Sequence, residues 1–121
     1  GEPTKMSTES IPVTVNGKVA IVTAPGYVNE KSAEAISEEC SGLINDGVSL
    51  VLIDMRDCRM VNSVGVAIII EIIEVLGEHG GSLGFCSLSE TIAKTFQIMG
   101  LKELAGMYSD QEEALAALAA A

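Results

Sequence analysis

A short, unbroken apolar stretch constrains the fold more than any other part of the sequence. Residues 49–54 read S-L-V-L-I-D, so four apolar residues stand in a row before an acid. A strand with one solvent-exposed face would alternate apolar and polar residues, and this run therefore predicts a strand that is buried on both faces. Strands of this kind are typical of parallel or mixed sheets that are covered by helices.

Strand and helix patterns alternate on both sides of this run. Asn16-Gly17 predicts a tight hairpin turn between two short strands. Apolar residues spaced by three and four predict a helix that begins near Asn29 and ends before Gly47. Two capping-box matches, Ser87 to Glu90 and Ser109 to Glu112, predict the starts of two later helices. The predicted order is strands 11–15 and 19–24, helix 29–45, strand 49–54, helix 64–78, strand 82–86, a helix to about residue 99, strand 107–108 and a C-terminal helix.

Residues 64–78 are rich in β-branched side chains, which makes a strand a serious alternative to a helix there. Fifteen residues without a turn signal exceed the usual length of a strand. Glu71, Glu74 and Glu78 also recur at helical spacing, so the length and the polar stripe together favour a helix.

This order predicts an α/β fold with a mixed sheet of about five strands and four helices packed mainly on one face. A chain of 121 residues is expected to form one domain. We assign that domain to residues 10–121. Residues 1–9 are expected to be a flexible N-terminal segment whose first residues look like a cloning remnant.

Charge and composition exclude several classes of protein. The chain has 7 Lys and Arg against 17 Asp and Glu, a net charge of −10, and only 3% aromatic residues, which argues against nucleic-acid binding. The odd cysteine count and the lack of a CxxC pair argue against a disulfide framework or a zinc site. The apolar surroundings of Cys40, Cys58 and Cys86 predict buried, reduced thiols. The longest uncharged, apolar-rich run, 60–70, is shorter than the roughly 20 residues of a membrane span, so we expect a cytoplasmic protein without membrane insertion.

The sequence contains no recognisable catalytic or phosphate-binding motif. Its one histidine, His79, falls at a predicted helix end, where a solvated side chain is the ordinary explanation. Pairs of carboxylates such as Glu38 and Glu39 fit the solvated face of a helix. We therefore expect no enzyme activity, no cofactor and no metal site.

The junction between the buried strand and the next helix carries the most informative residues. Asn62 and Ser63 stand at the predicted helix start, where main-chain N–H groups are unpaired and the helix dipole is positive. Either residue can serve simply as the N-cap. Alternatively, Ser63 is a phosphorylation site, since a phosphate is stabilised at a helix N-terminus. Arg56 and Arg59 lie just upstream and either neutralise that phosphate or pair with nearby aspartates.

Three segments resemble the STAS domains of bacterial anti-sigma factor antagonists. Residues 26–34 look like the family's Gly-x-Leu-Asp-x-x-Thr-Ala-Glu entry to the first helix. Residues 51–66 look like its strand followed by Asp-Ser-Ser-Gly-Leu, and residues 80–101 are similar to its Gly-Gly strand and following helix. The family's phosphoacceptor serine falls on Ser63. Both family aspartates are amides here, Asn29 and Asn62, while Ser32 replaces a threonine and Val64 a second serine.

The resemblance implies a protein that binds an anti-sigma factor serine kinase, releases a sigma factor, and is switched off by phosphorylation of Ser63. A PPM-type serine phosphatase would reverse the switch, and the protein would be a monomer or weak dimer. The alternative is a STAS scaffold, or a regulatory subunit of a stress-signalling or membrane-transport complex, without phosphoregulation. The residues expected at the partner surface are Tyr27, Asn29, Ser32, Asn62, Val64, Gly65 and Val66.

Overall fold

The computed structural model describes residues 10–120. The predicted flexible segment 1–9 lies outside the described residues. The elements are β1 (Val13–Asn16), β2 (Val19–Thr23), β3 (Tyr27–Val28), α1 (Glu30–Asn45), β4 (Leu50–Asp54), β5 (Met60–Val61), α2 (Ser63–Glu78), β6 (Ser82–Cys86), α3 (Glu90–Ile98), a 3-10 helix (Leu101–Glu103), β7 (Gly106–Tyr108) and α4 (Gln111–Ala120).

The main sheet has five strands in the order β1-β2-β4-β6-β7. β1 and β2 form the antiparallel hairpin that Asn16-Gly17 predicted, and the other neighbours are parallel. The central strand is β4, whose Leu52 lies between Ile21 of β2 and Gly84 of β6. Residues 51–54 are all buried, which confirms the prediction of a strand covered on both faces.

Helices cover both faces of this sheet unequally. The larger core joins α1, α2 and α3 to one face of the sheet through residues such as Ile36, Ile69, Phe96 and Ile53. A smaller cluster on the other face packs Leu118 of α4 among residues of β2, β4 and β6. The prediction of a mixed α/β sheet with its helices mainly on one face is confirmed, and α4 is the helix on the opposite face.

Residues 64–78 form a helix, as length and polar spacing predicted, and Ser63 is its first residue. The many β-branched residues of α2 are accommodated because the helix packs its apolar face on the sheet. The buried residues of that face include Val66, Ile69, Ile72 and Leu76. The exposed side keeps the predicted carboxylates, with Glu71, Glu74 and Glu78 at the surface. The burial of one helix face thus agrees with the length and polar spacing of this segment, where composition alone leaves strand and helix close.

Two helix caps lie at different residues from those in the predicted capping boxes. The hydroxyl of Ser89, not that of Ser87, accepts the hydrogen bond from Ile92 N–H at the start of α3. Ser87 has φ of +61°, and its N–H donates to the carbonyl of Tyr108, so it belongs to the strand end. At the start of α4 the Asp110 carboxylate accepts from Glu113 N–H, one residue later than the match that began at Ser109.

The second sheet, formed by β3 and β5, was not predicted. It is parallel and has two residue pairs, Tyr27 with Met60 and Val28 with Val61. Two-residue strands are too short to show a period of two, and so their sequences carry no strand signal. This small sheet joins the chain before α1 to the chain before α2.

The three cysteines are free and buried, as predicted. Burial raises the pKa of the Cys40 thiol to about 12 and that of Cys86 to about 11. Within residues 10–120, no helix is long and apolar enough to cross a membrane.

Candidate functional site

The chain segments that enter α1 and α2 lie side by side beyond the carboxyl ends of two adjacent strands. One segment follows β2 and the other follows β4, and these strands are parallel neighbours. Pairing of β3 with β5 then brings Tyr27 opposite Met60. The carboxyl edge of a parallel sheet is where functional residues of α/β proteins commonly gather. The starts of α1 and α2 therefore lie close together.

Asn62, and not Ser63, is the N-cap of α2. Its backbone is extended, with φ of −91° and ψ of 174°, and its side-chain Oδ1 accepts a 2.8 Å hydrogen bond from Gly65 N–H. Ser63 is the first residue of the helix and is exposed. The sequence left open whether Asn62 or Ser63 is the N-cap, and the structure assigns that role to Asn62. The Ser63 side chain is therefore not needed to begin the helix.

The start of α1 is held by a reciprocal capping box. Ser32 N–H donates to Asn29 Oδ1 at 3.0 Å, and Asn29 N–H donates to Ser32 Oγ at 3.0 Å. The Ser32 hydroxyl also donates to the carbonyl of Tyr27 at 2.8 Å. Asn29 and Ser32 therefore fix the direction in which the chain leaves β3.

Two hydrogen bonds and one close approach tie the start of α2 to β3. Asn62 N–H donates to the carbonyl of Val28 at 3.1 Å. The side-chain Nδ2 of Asn62 donates to the hydroxyl of Tyr27 at 3.2 Å. Gly65 also approaches so closely that a Cβ on it would stand 2.6 Å from the Val28 carbonyl oxygen.

Exposed apolar side chains stand on the segments that meet at the start of α2, where Ser63 is also exposed. Tyr27 is 43% exposed, Met60 55% and Val64 44%. We call Tyr27, Met60, Ser63 and Val64 the Ser63 surface. Sequence reasoning missed Met60, because nothing in a two-residue strand indicates which of its side chains faces solvent.

Three residues expected at the partner surface are buried. Ser32 is 6% exposed because its hydroxyl serves the capping box, and Val66 is 2% exposed because it belongs to the core face of α2. The expectation that these two side chains are exposed is wrong. Gly65 is buried too, against Val28, so its part in the site is to let α2 approach β3. Asn29 and Asn62 are half-buried.

The two arginines upstream of Ser63 differ in their surroundings. Arg56 lies 3.2 Å from Asp54, Nη2 to Oδ2, and its main-chain N–H also donates to that carboxylate. Asp54 is 1% exposed and accepts a further hydrogen bond from Gln111 Nε2 at 2.8 Å. Arg56 thus pairs with a nearby aspartate, which is one of the two roles that the sequence left open for it. Arg59 is exposed, and its main-chain N–H donates to the carbonyl of Gly26 at 2.8 Å.

The start of α2 differs from the other helix starts in charge. The first turns of α1 and α3 carry Glu30 and Glu90, whereas that of α2 has no acidic residue. A phosphate placed on Ser63 would therefore meet the positive end of the helix dipole without a carboxylate in the same turn.

Cys58 lies in the loop before β5 but is not an exposed nucleophile. It is 3% exposed, and its thiol donates to the carbonyl of Met60 at 3.5 Å. Burial raises the pKa of this thiol, so it stays protonated at neutral pH. Among residues 10–120 no group of histidine, cysteine and carboxylate side chains could hold a metal ion.

The fold and the paired helix starts define a STAS domain. The family model of the STAS domain matches residues 10–114, and the chain belongs to this family. Among curated proteins, the chain is 28% identical over 91 residues to the anti-sigma-B factor antagonist of Bacillus subtilis (strain 168), which covers 75% of this chain and 83% of that protein.

Solved structures share the fold. An anti-sigma-factor antagonist (STAS) domain protein from Planctomyces limnophilus superimposes with a TM-score of 0.78 at 24% identity, covering 90% of this chain and 97% of that one. The Bacillus cell fate determinant SpoIIAA in its phosphorylated form gives a TM-score of 0.69 at 21% identity, covering 88% and 96%. These likenesses show that this chain and the anti-sigma factor antagonists share the STAS fold.

Proposed function

We propose that this protein binds an anti-sigma factor serine kinase and so releases a sigma factor, and that phosphorylation of Ser63 ends the complex. The observation that carries the proposal is the exposed serine at the first position of α2, beside a neighbouring residue that already caps the helix. Membership of the STAS family and similarity to an anti-sigma-B factor antagonist support it.

The proposed reaction is an ordinary phosphoryl transfer. The Ser63 Oγ attacks the γ-phosphorus of ATP bound to the kinase, the bond to the β-γ bridging oxygen breaks, and ADP leaves as the hydroxyl proton is removed. The product phosphate sits over the first N–H groups of α2 and the positive end of its dipole. Because this reaction uses ATP, we place the protein in the cytoplasm.

Phosphorylation would weaken binding because it changes the character of the Ser63 surface. The unmodified surface presents Tyr27, Met60 and Val64, which suit an apolar partner face. A phosphate adds nearly two negative charges that a partner would have to desolvate. Arg56 is held by Asp54, so only Arg59 of the two candidate arginines is left to offset that charge. A PPM-type phosphatase would restore the binding form.

The test is phosphorylation of the full chain by candidate serine kinases with ATP, followed by peptide mass spectrometry. We expect one phosphoryl group on Ser63 and none on the Ser63→Ala variant. In a binding assay, Ser63→Ala should keep wild-type affinity for the kinase and Ser63→Asp should lose at least about tenfold, since a buried unpaired charge costs more than 1.4 kcal/mol.

Phosphate on another residue, or equal affinity of the two variants, would contradict the switch. Capture of a membrane transporter and of no kinase would favour the scaffold alternative.

A further inference from the structure

We propose that Tyr27 is a positioning residue for Ser63. Its hydroxyl holds the amide of Asn62, and Asn62 caps the helix that begins with Ser63. The inference rests on the proposed function, because it concerns how readily Ser63 is phosphorylated.

The orientation of the Asn62 amide follows from its partners. Gly65 N–H is a donor, so the atom that faces it at 2.8 Å must be the carbonyl oxygen Oδ1. The amide nitrogen Nδ2 is then turned toward Tyr27, whose hydroxyl oxygen accepts at 3.2 Å. Both ends of the amide are thus occupied, one within α2 and one across to β3.

This arrangement uses a property of asparagine that aspartate lacks. A carboxylate at position 62 would offer acceptors only, and the tyrosine hydroxyl would have to donate instead. In this chain the donor is the amide at position 62, and the acceptor is the hydroxyl of a tyrosine 35 residues away. The cross-link is tertiary and ties together the two chain segments that form the Ser63 surface.

Main-chain contacts alone leave the outer part of the helix start less constrained. Asn62 N–H is bonded to Val28, and Gly65 is packed against the same residue. These contacts hold the inner side of the first turn, whereas Ser63 and Val64 lie on its exposed side. Gly65 N–H holds the Oδ1 end of the Asn62 side chain, and the Tyr27 hydroxyl is the contact that restrains its Nδ2 end. Without it the amide gains rotational freedom, the cap weakens, and Ser63 moves within the fraying first turn.

A positioning role affects phosphoryl transfer more than binding. A kinase needs the serine oxygen in line with the γ-phosphorus, so disorder of the acceptor lowers the transfer rate. Tyr27→Phe keeps the aromatic ring that a partner would contact and removes only the hydroxyl. This variant therefore separates positioning from contact.

The first experiment measures single-turnover phosphorylation of Ser63 with kinase in excess. We expect Tyr27→Phe to lower the maximal transfer rate by about 2- to 10-fold, the range for one lost hydrogen bond, with unchanged half-saturation. The matched control is Tyr108→Phe, which removes the hydroxyl of the other tyrosine in the chain and should behave like wild type.

The second experiment needs no kinase and measures hydrogen exchange of the Gly65 amide by NMR. Tyr27→Phe should lower its protection by a similar factor. In the Asn62→Ala background, where the cap is gone, Tyr27→Phe should have no further effect, which is the coupling expected of residues acting through one another.

An unchanged transfer rate would overturn the inference, and so would unchanged Gly65 protection. An effect on half-saturation alone would also overturn it, because that result would make Tyr27 a contact residue. If wild-type protein receives no phosphate on Ser63, the proposed function fails. The inference falls with it as a statement about phosphorylation, and the exchange experiment then decides separately whether Tyr27 holds the helix start.

Discussion

At the scale of single residues, two glycines of the same helix affect stability in opposite ways. Gly65 lies where α2 meets β3, and a Cβ on it would stand 2.6 Å from the Val28 carbonyl oxygen, closer than real Cβ contacts allow. Gly77 lies near the other end of α2 and is exposed. Apart from its chain neighbours and the surrounding helix backbone, no atom lies within 4 Å of where its Cβ would stand. The first glycine permits a tertiary contact, and the second only weakens the helix.

We predict that Gly65→Ala lowers the free energy of unfolding by about 1–3 kcal/mol, because the neighbour is main chain and cannot rotate away. Gly77→Ala should raise it by about 0.5–1 kcal/mol, since alanine costs less backbone entropy in a helix. Urea unfolding followed by circular dichroism measures both. Equal effects of the two variants would mean that the close approach to Val28 does not constrain residue 65.

At the scale of elements, polar side chains decide where the helices begin. Asn29 and Ser32 satisfy each other's backbone N–H groups at the start of α1. The Ser32 hydroxyl then reaches back to β3, so the same serine joins the helix start to the preceding strand. The half-buried Asn29 is therefore part of the support of the site whether or not a partner touches it.

Asn29→Ala should lower the free energy of unfolding by about 1–2 kcal/mol, as loss of an N-cap does. Asn29→Asp should match or exceed wild type, because a carboxylate keeps the acceptor and interacts favourably with the helix N-terminus. Ser41→Ala, at an exposed position inside α1, is the matched control and should be neutral or slightly stabilising. A thermal or urea unfolding series checks the ranking, and an Asn29→Ala protein as stable as the Ser41→Ala control would contradict it.

At the scale of the whole molecule, helices on both faces bury the sheet and with it the thiols. Cys40 packs in the larger core, and Cys86 lies in the smaller cluster beneath α4. Burial raises the pKa of Cys40 to about 12, and burial followed by the nearby Asp54 charge raises that of Cys86 to about 11. The folded chain therefore holds these protons more tightly than the unfolded chain does.

The contribution of these thiols to the free energy of unfolding should therefore be fully present below the ordinary thiol pKa of 9.0. It should decline as the pH rises toward 11 and 12, the pKa values in the folded chain. Each thiol can add up to about 1.4 kcal/mol per pH unit to the slope. Urea unfolding between pH 7.5 and 10.5 measures the decline, and the comparison with Cys40→Ala isolates one thiol. A slope unchanged by that substitution would show that Cys40 contributes nothing to it.

Local sequence signals predicted most of the fold. The hairpin at Asn16-Gly17, the buried strand β4 and the helices α1 and α2 all follow from turn residues, apolar runs and spacing. Each of these signals acts within a few residues, and the structure agrees because local preference and tertiary packing favour the same conformation. The caps of α3 and α4 are Ser89 and Asp110, which lie two residues and one residue beyond the predicted Ser87 and Ser109. Neighbouring polar side chains there can each accept from the same N–H groups, so the sequence does not single out one of them.

By itself, the sequence determined that this is an α/β STAS chain with Ser63 at the start of a helix. Only the tertiary structure decided that Asn62 is the cap, that Arg56 is held by the buried Asp54, and that Ser32 and Val66 are buried. It also decided that Met60 joins the Ser63 surface. The reason is physical: helix and turn preferences depend on adjacent residues, whereas burial and pairing depend on segments such as β3 and β5, which meet only when the chain is folded.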